Sequence, residues 1–300
     1  MADISKINGV PIANIEKLDA VLAANIAKVN GLVFSTAAAF LLDTYTGAGA
    51  GYSVRRLATS ATNLMRIRED AGDTETDIGY DSNNELDTAA IATHCGTANG
   101  YVVTWYDQSG NGNHADQATD TSQPQIYNGT AVVTRDAFPV VDFSSVSNGM
   151  DVSLTNSDGN LSIFCGGYFP GTGQNNWIFV ADNNAFSSTD GIALIHDGIV
   201  RFYRNAYTLQ AVSATSAGRY LISNIFDSGT GSTIRSNGTT ANQDTTSLGT
   251  TAWSYSGTSK IMSVFGGTGG EVHEIILYHS DETSNRSGIE TDINDYFGIY

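Results

Sequence analysis

From Tyr52 onward the chain is a succession of short runs of β-branched and aromatic residues, each cut off by Gly, Asn, Ser or Asp. Such runs, bounded by turn formers, read as strands. They include residues 101–106, 131–134, 139–143, 161–168, 177–181, 192–196, 200–203, 220–226, 232–236, 260–265 and 271–278. So many strands exceed an immunoglobulin-type domain and fit a larger jelly-roll sandwich. With 41% hydrophobic and 15% charged residues, 32 Gly and 4 Pro, the chain can bury a core and turn often. After Tyr278 the period changes. Ile289, Ile293 and Tyr296 or Phe297 recur at helical spacing, with Ser284 as a cap and Gly298 as a stop, so a short helix should close the domain against one sheet.

The first forty residues follow another rule. Residues 4–14, 15–25 and 26–36 read ISKINGVPIAN, IEKLDAVLAAN and IAKVNGLVFST, three units at a period of eleven. A unit of this size cannot bury its apolar face alone, so repetition implies neighbours or a partner. The Ala- and Leu-rich middle unit predicts a short helix over residues 15–27. Asn8-Gly9, Asn30-Gly31 and Pro11 predict turns around it. The chain therefore divides into a partly helical anchor, 1–40, and an all-β domain, 41–300. Ile4, Lys6, Ile7, Ile15, Lys17, Leu18, Ile26, Lys28 and Val29 are the partner-anchoring candidates.

Charge narrows the function. The formal net charge is −17, and Lys6, Lys17, Lys28 and Lys260 are the only lysines, which argues against nucleic acid and against an anionic membrane surface. Cys95 and Cys165 lie too far apart in sequence for a metal knuckle; two buried thiols are expected, with one bridge as the alternative. No leader-like start and no long apolar run is present, so synthesis in a cytoplasm without membrane insertion is the expectation.

Two stretches carry family resemblances. Tyr52-Ser53-Val54-Arg55-Arg56, Ile67-Arg68, Asp77-Ile78-Gly79-Tyr80-Asp81 and Leu86-Asp87 lead to Val103-Thr104-Trp105-Tyr106-Asp107-Gln108-Ser109-Gly110-Asn111-Gly112-Asn113. Together they resemble the catalytic-domain family of fungal α-L-arabinofuranosidase B. Glu274-Ile275-Ile276-Leu277-Tyr278 with the terminal helix resembles the close of concanavalin A-like lectin and glucanase sandwiches. The implied fold is a concanavalin A-like jelly-roll β-sandwich. The N-terminal repeats resemble the lysine-containing units that open tailed-phage virion proteins.

A glycosidase needs two carboxyl groups flanking the scissile bond. The resembled family carries them after a Gly-Gly pair and in an Asn-Ala-Glu context. Here Gly266-Gly267 runs into Thr268-Gly269-Gly270-Glu271, and the upstream counterpart is Asn184-Ala185-Phe186. Glu271 and Glu274, three apart on a strand, are expected to face opposite ways. The sequence thus predicts no catalytic residues and no enzyme. Asp107, Ser109, Asn111 and Asn113 alternate with Gly in a spacing calcium loops use, but Ala118 stands where a bidentate Glu belongs and a turn is the better reading. The five histidines show no metal-ligand spacing, so no cofactor is expected. Sugar contacts would combine aromatic faces with amides, and Gln174, Asn175, Asn176, Trp177, Trp253 and Tyr255 are the candidates, with Trp105 in the core.

The expectation is a virion structural protein, a capsid decoration, head fibre or tail or baseplate fibre, docked on another virion component, displaying a lectin-like head toward host-surface glycan, and homo-oligomeric. The alternatives are an arabinofuranosidase-like hydrolase of host polysaccharide and a bacterial cell-surface lectin-like module.

Overall fold

The computed structural model describes residues 40–300 except 147, 157–158, 172–175, 182–191, 197–199, 205–206, 211–215, 228–230, 245–254 and 265–268, together with six residue pairs of the N-terminal segment. The chain falls into two compact units, Met1–Ala39 and Phe40–Tyr300.

In the first unit the eleven-residue repeat is a repeat of hairpins. Lys6–Ile7 pairs with Val10–Pro11, Lys17–Leu18 with Val21–Leu22, and Lys28–Val29 with Leu32–Val33, all antiparallel. Each pairing spans a two-residue link, Asn8-Gly9, Asp19-Ala20 or Asn30-Gly31, and such links favour tight β-turns. The helix expected over 15–27 is therefore corrected. Its described apolar residues, Leu18, Val21 and Leu22, lie on paired strands, so the local pairing outweighs the helix propensity of Leu. Lys6, Ile7, Lys17, Leu18, Lys28 and Val29 lie on these strands, while Ile4, Ile15 and Ile26 fall outside the described residues.

In the second unit, eighteen strands among the described residues join into one curled antiparallel sheet. Its central run is Ala48–Ser53, Glu271–Tyr278, Leu161–Phe169 and Gly218–Asp227, paired in that order. Glu271–Tyr278 also pairs through Val272 and Glu271 with Val141–Asp142, and the sheet continues through Gln125–Asn128, Asn99–Trp105, Met65–Glu69 and Glu75–Ile78. Ala115–Asp116 hydrogen-bonds to the Trp105 end of its neighbour and leads into Asn148–Asn156, Tyr255–Val264 and Asn176–Val180. The sheet folds over into an all-β sandwich.

Ile163, Phe164, Ile275 and Ile276 are all buried because the central strands are covered on both faces. The second cover is the helix Arg286–Phe297, which buries Ile289, Ile293 and Phe297; Ile293 and Ile299 pack where a Cβ on Gly166 would stand. Gly298 ends this helix in the left-handed conformation, as its position predicts. The N-cap is Asn285 rather than Ser284, and its amide donates to Glu282. Trp105 is fully buried, and its indole N–H donates to the Ser53 carbonyl. Cys95 and Cys165 are buried free thiols whose pKa values burial raises, that of Cys95 to about 11.

A buried ionic cluster ties the two ends of this unit together. Arg55 donates twice to Glu274, at 2.8 and 3.1 Å, and once to Asp292 on the helix at 2.7 Å. Ser53 donates to the same Glu274 carboxylate at 2.7 Å, and Glu274 has 0% exposure. Tyr296 covers the guanidinium with its ring, 4.6 Å away at the centroid. Beside this cluster His273 stacks on Phe297 at 4.7 Å and bonds through Nδ1 to the Pro139 carbonyl at 2.9 Å, leaving Nε2 buried without a partner. Burial pushes the His273 pKa down to about 4, so the ring is neutral in the folded protein.

Two outcomes follow for stability. Arg55→Ala strands a buried carboxylate, and denaturant unfolding should register a loss of about 3–5 kcal/mol; a loss comparable to that of a surface pair would contradict the role given to the cluster. His273 stays neutral in the fold while the unfolded imidazole takes a proton below about 6.5. Its contribution is thus complete above pH 6.5 and lost as pH falls toward 4, by roughly 3 kcal/mol in total. Unfolding curves across that window should show the decline in the native chain and a much smaller one in His273→Phe.

Candidate functional site

The Tyr106-Asp107-Gln108-Ser109-Gly110-Asn111-Gly112-Asn113 stretch, the most specific signal in the sequence, is a clamp. Asp107 accepts from the backbone N–H of Gly51, Ser109 and Asn113 at 2.9, 2.8 and 3.0 Å, and from the Ser109 hydroxyl at 2.8 Å. Gln108 accepts from Leu57 N–H and donates to the Arg55 carbonyl. Asn111 and Asn113 donate to the carbonyls of Ala48 and Gly49. The side chains that alternate like calcium ligands are thus engaged in holding their own turn and the edge of the Ala48–Ser53 strand, Asp107 and Ser109 through their oxygens and Asn111 and Asn113 through their Nδ2–H groups. Beside them lies an open hollow lined by Gly49, Asn111, Asn113, Ser153, Thr155 and His279, with no carboxylate among its described lining residues.

A cleft of about 390 Å³ elsewhere does hold them. Its floor is a row of facing residues across neighbouring strands: Arg68 opposite Tyr101, Tyr101 opposite Gln125, Gln125 opposite Asp142. Facing residues in an antiparallel pair share one side of the sheet; Val102, Ile126 and Val141 point the other way into the core. Asp70, Asp120, Thr121, Gln123, Ser145 and Val146 complete the walls.

Arg68 and Asp142 on the floor, and Gln123 and Asp70 on the walls, are braced. Arg68, nearly buried, donates from Nε to Gln123 at 2.8 Å and from Nη1 to Asp73 at 2.6 Å, with Asp120 at 3.7 Å, and its guanidinium lies 5.5 Å from the Tyr101 ring centre. Gln123 is anchored in turn on the Gln117 carbonyl at 3.0 Å. Asp142 accepts from Ser144 N–H at 2.7 Å, and Asp70 from both the backbone and the side chain of Asn99 at 2.9 Å. The turn carrying Asp70 and Asp73 is organised by Glu69. Backbone N–H groups of Gly72 and Thr74 hold its carboxylate at a pKa of about 2. The result is an aromatic floor bordered by amides and three carboxylates, a set suited to sugar hydroxyls and, with two carboxyls flanking a bond, to acid–base chemistry.

The Gly269-Gly270 pair adjoins this cleft. Phe143 N–H donates to the Gly270 carbonyl at 3.0 Å, and a Cβ on Gly269 would stand 2.1 Å from the Phe143 carbonyl oxygen. These glycines therefore permit a close backbone approach.

Of the residues expected to bind sugar, the structure describes the backbone of three. Gln174, Asn175 and Trp253 fall outside the described residues. Asn176 and Trp177 open the strand Asn176–Val180, opposite Val264 and Ser263, while Tyr255 begins the strand Tyr255–Val264 opposite Asn156. Trp177 and Tyr255 are thus separated by most of a strand, roughly 27 Å. The cleft residues Tyr101, Gln125 and Asp142 went unnoticed in the sequence; the alternation of polar and apolar residues within their short strands was the available signal.

No family model matches this chain, and no curated protein does. Among solved structures it resembles a GH54 α-L-arabinofuranosidase soaked with a cyclic sulfate inhibitor, with a TM-score of 0.59, 17% identity and 84% of this chain covered. A glutamate-to-glutamine mutant of a GH54 α-L-arabinofuranosidase soaked with 4-nitrophenyl α-L-arabinofuranoside gives 0.60 and 17%. An arabinofuranosidase complexed with arabinofuranosyl-α-1,2-xylobiose gives 0.58 and 18%. In each case the match spans 64% of the other chain's length. These likenesses establish the fold as the β-sandwich that these structures share.

They also correct the expectation of a domain without enzymatic chemistry, since the matched sandwiches are glycosidases. That expectation rested on residues 184–186 and 266–271, of which 184–186 and 266–268 lie outside the described residues. Loop lengths drift between related sandwiches while strands keep register, so a missing carboxylate in one aligned loop does not empty the sheet of carboxylates.

Proposed function

We propose that residues 40–300 form a glycoside hydrolase-like domain acting on arabinofuranosidic links, with the Arg68–Tyr101–Gln125–Asp142 cleft as its substrate site. The observation that carries this reading is the cleft itself, where Asp142 on the floor and Asp120 on the wall border one aromatic surface. The likeness to three arabinofuranosidase structures supports the substrate class. In this reading Tyr101 supplies a face for the sugar ring. Gln123 and Gln125 pair with hydroxyls, and Asp142 and Asp120 share the acid and the base or nucleophile roles.

Incubation of the intact chain with 4-nitrophenyl α-L-arabinofuranoside should release 4-nitrophenol. Asp142→Asn should lower kcat by about a hundredfold or more, and Tyr101→Ala should raise KM by about three- to tenfold with little change in kcat. Absence of release by the intact chain overturns the hydrolase reading.

The hairpin repeat favours a second, compatible reading of the first unit. Three lysine-bearing hairpins in succession offer a repeated surface for attachment, and we infer that residues 1–39 dock on a virion component of capsid, tail or baseplate, with the sandwich displayed at the particle surface toward host glycan. Repeated display of copies would multiply weak sugar contacts by avidity. A chain beginning at Val33 should remain folded by circular dichroism and soluble, and be absent by mass spectrometry from density-purified particles that contain the full chain. Equal incorporation of both chains would contradict the attachment role.

A further inference from the structure

The polar row on the cleft floor does not stop at Asp142. Asp142 faces Glu271, Glu271 faces Tyr168, and Tyr168 faces Arg219, so the same side of the sheet carries a second aromatic residue flanked by charge. At about 4.8 Å per strand, Tyr168 lies roughly 19 Å from Tyr101 along the row. The first half is an open cleft, and the second half is covered.

The cover is the hairpin Thr134–Arg135 and Phe138–Pro139. Arg135 donates from Nε to Glu271 at 2.6 Å and from Nη2 to the other carboxylate oxygen, and its guanidinium rests 4.1 Å from the centre of the Tyr168 ring. Asp136 meets Arg219 at 2.9 Å. The two turn residues, Asp136 and Ala137, stand at φ of 50° and 75°, a region that side chains other than glycine adopt under strain. The hairpin's second strand is seated in the fold, with Phe138 against His273, Tyr296 and Phe297 and the Pro139 carbonyl bonded to His273, while its turn side is closed by the ion pairs of Arg135 and Asp136, 35% and 59% exposed. The Arg135 pair engages both oxygens of a Glu271 carboxylate that is only 14% exposed, so it holds until another group takes the carboxylate.

An aromatic face beside a carboxylate is the pairing a sugar ring uses, through C–H contacts with the ring and a hydroxyl bonded to the acid. We propose that Tyr168 and Glu271 form a second sugar subsite, in line with the Tyr101 cleft, and that Arg135 occupies it as an internal stand-in which a longer oligosaccharide displaces. This rests on the carbohydrate reading given above and extends it. The open cleft accepts a single sugar unit without rearrangement, and a ligand of several units gains the second subsite by displacing the Arg135 side chain, with the hairpin backbone left in place.

The test compares a short and a long probe, 4-nitrophenyl α-L-arabinofuranoside and arabinofuranosyl-α-1,2-xylobiose, by calorimetric titration of the full chain. Arg135→Ala removes the stand-in, so affinity for the long probe should rise by about tenfold with affinity for the short probe unchanged, as expected when an occluded state no longer competes. Tyr168→Ala added to Arg135→Ala should cancel that gain. Arg135→Gln, which keeps the stem and loses the charge, should show the same direction and serves where the alanine variant unfolds. If the short probe binds and neither Arg135 variant improves the long one, the subsite is overturned and the cleft reading stands. If neither probe binds any variant, both fall.

Discussion

A guanidinium and a carboxylate removed from water hold the sandwich closed. Arg55 and Glu274 belong to segments far apart in the chain, and their pairing at 2.8 Å joins the end of the Ala48–Ser53 strand to the middle of Glu271–Tyr278. Asp292 extends the pair to the last helix. Burial of either charge alone is costly, so the arrangement is stable only when all three elements are seated. The Tyr106–Asn113 turn depends on the same corner, because Gln108 grips the Arg55 backbone and Asp107 grips Gly51. A motif that looks like a catalytic signature is, in its chemistry, the brace of an edge strand.

The cleft inherits its geometry from this closure. Glu271–Tyr278 is fixed on one edge by the ionic corner, and through Glu271 it sets the position of Asp142, which sets Gln125 and then Tyr101. The floor is a register property of the sheet. A slip of one residue in any of these short strands would turn its floor residue into the core and send an apolar residue outward. Rigid strands underneath and turns pinned by Glu69 and Gln123 around them give the cleft the preorganisation that sugar recognition requires.

Much of the fold was legible because alternation and turn formers report strands directly. The runs 192–196 and 271–278 coincide with observed strands, and Ile289, Ile293 and Phe297 mark the helix face that meets the sheet. Ala48–Ser53 was missed because its Ala and Gly residues carry no β signal; a Cβ at Gly51 would lie 2.8 Å from Leu42, so small size there serves packing. Thr88–Cys95 was missed because it is short and its face weakly segregated, although Asp87 caps it by accepting from Ala90 N–H. In the repeat, an eleven-residue period is compatible with a helix or with a hairpin plus linker. The Asn-Gly pairs in the outer units were the deciding evidence, since repeated units adopt one structure. The cleft was illegible for a different reason: Arg68, Tyr101, Gln125 and Asp142 meet only through the pairing of four strands, and cross-strand register is not written within any one of them.

The central claim is that a sugar occupies the floor formed by Tyr101 and Asp142. A crystal of the full chain soaked with arabinofuranosyl-α-1,2-xylobiose tests it most directly. The account predicts electron density for an arabinofuranosyl ring over Tyr101, within hydrogen-bonding reach of Asp142 and Gln125. Density seated instead at the Trp177 end of the other strands, with the Tyr101 cleft holding only water, would contradict it.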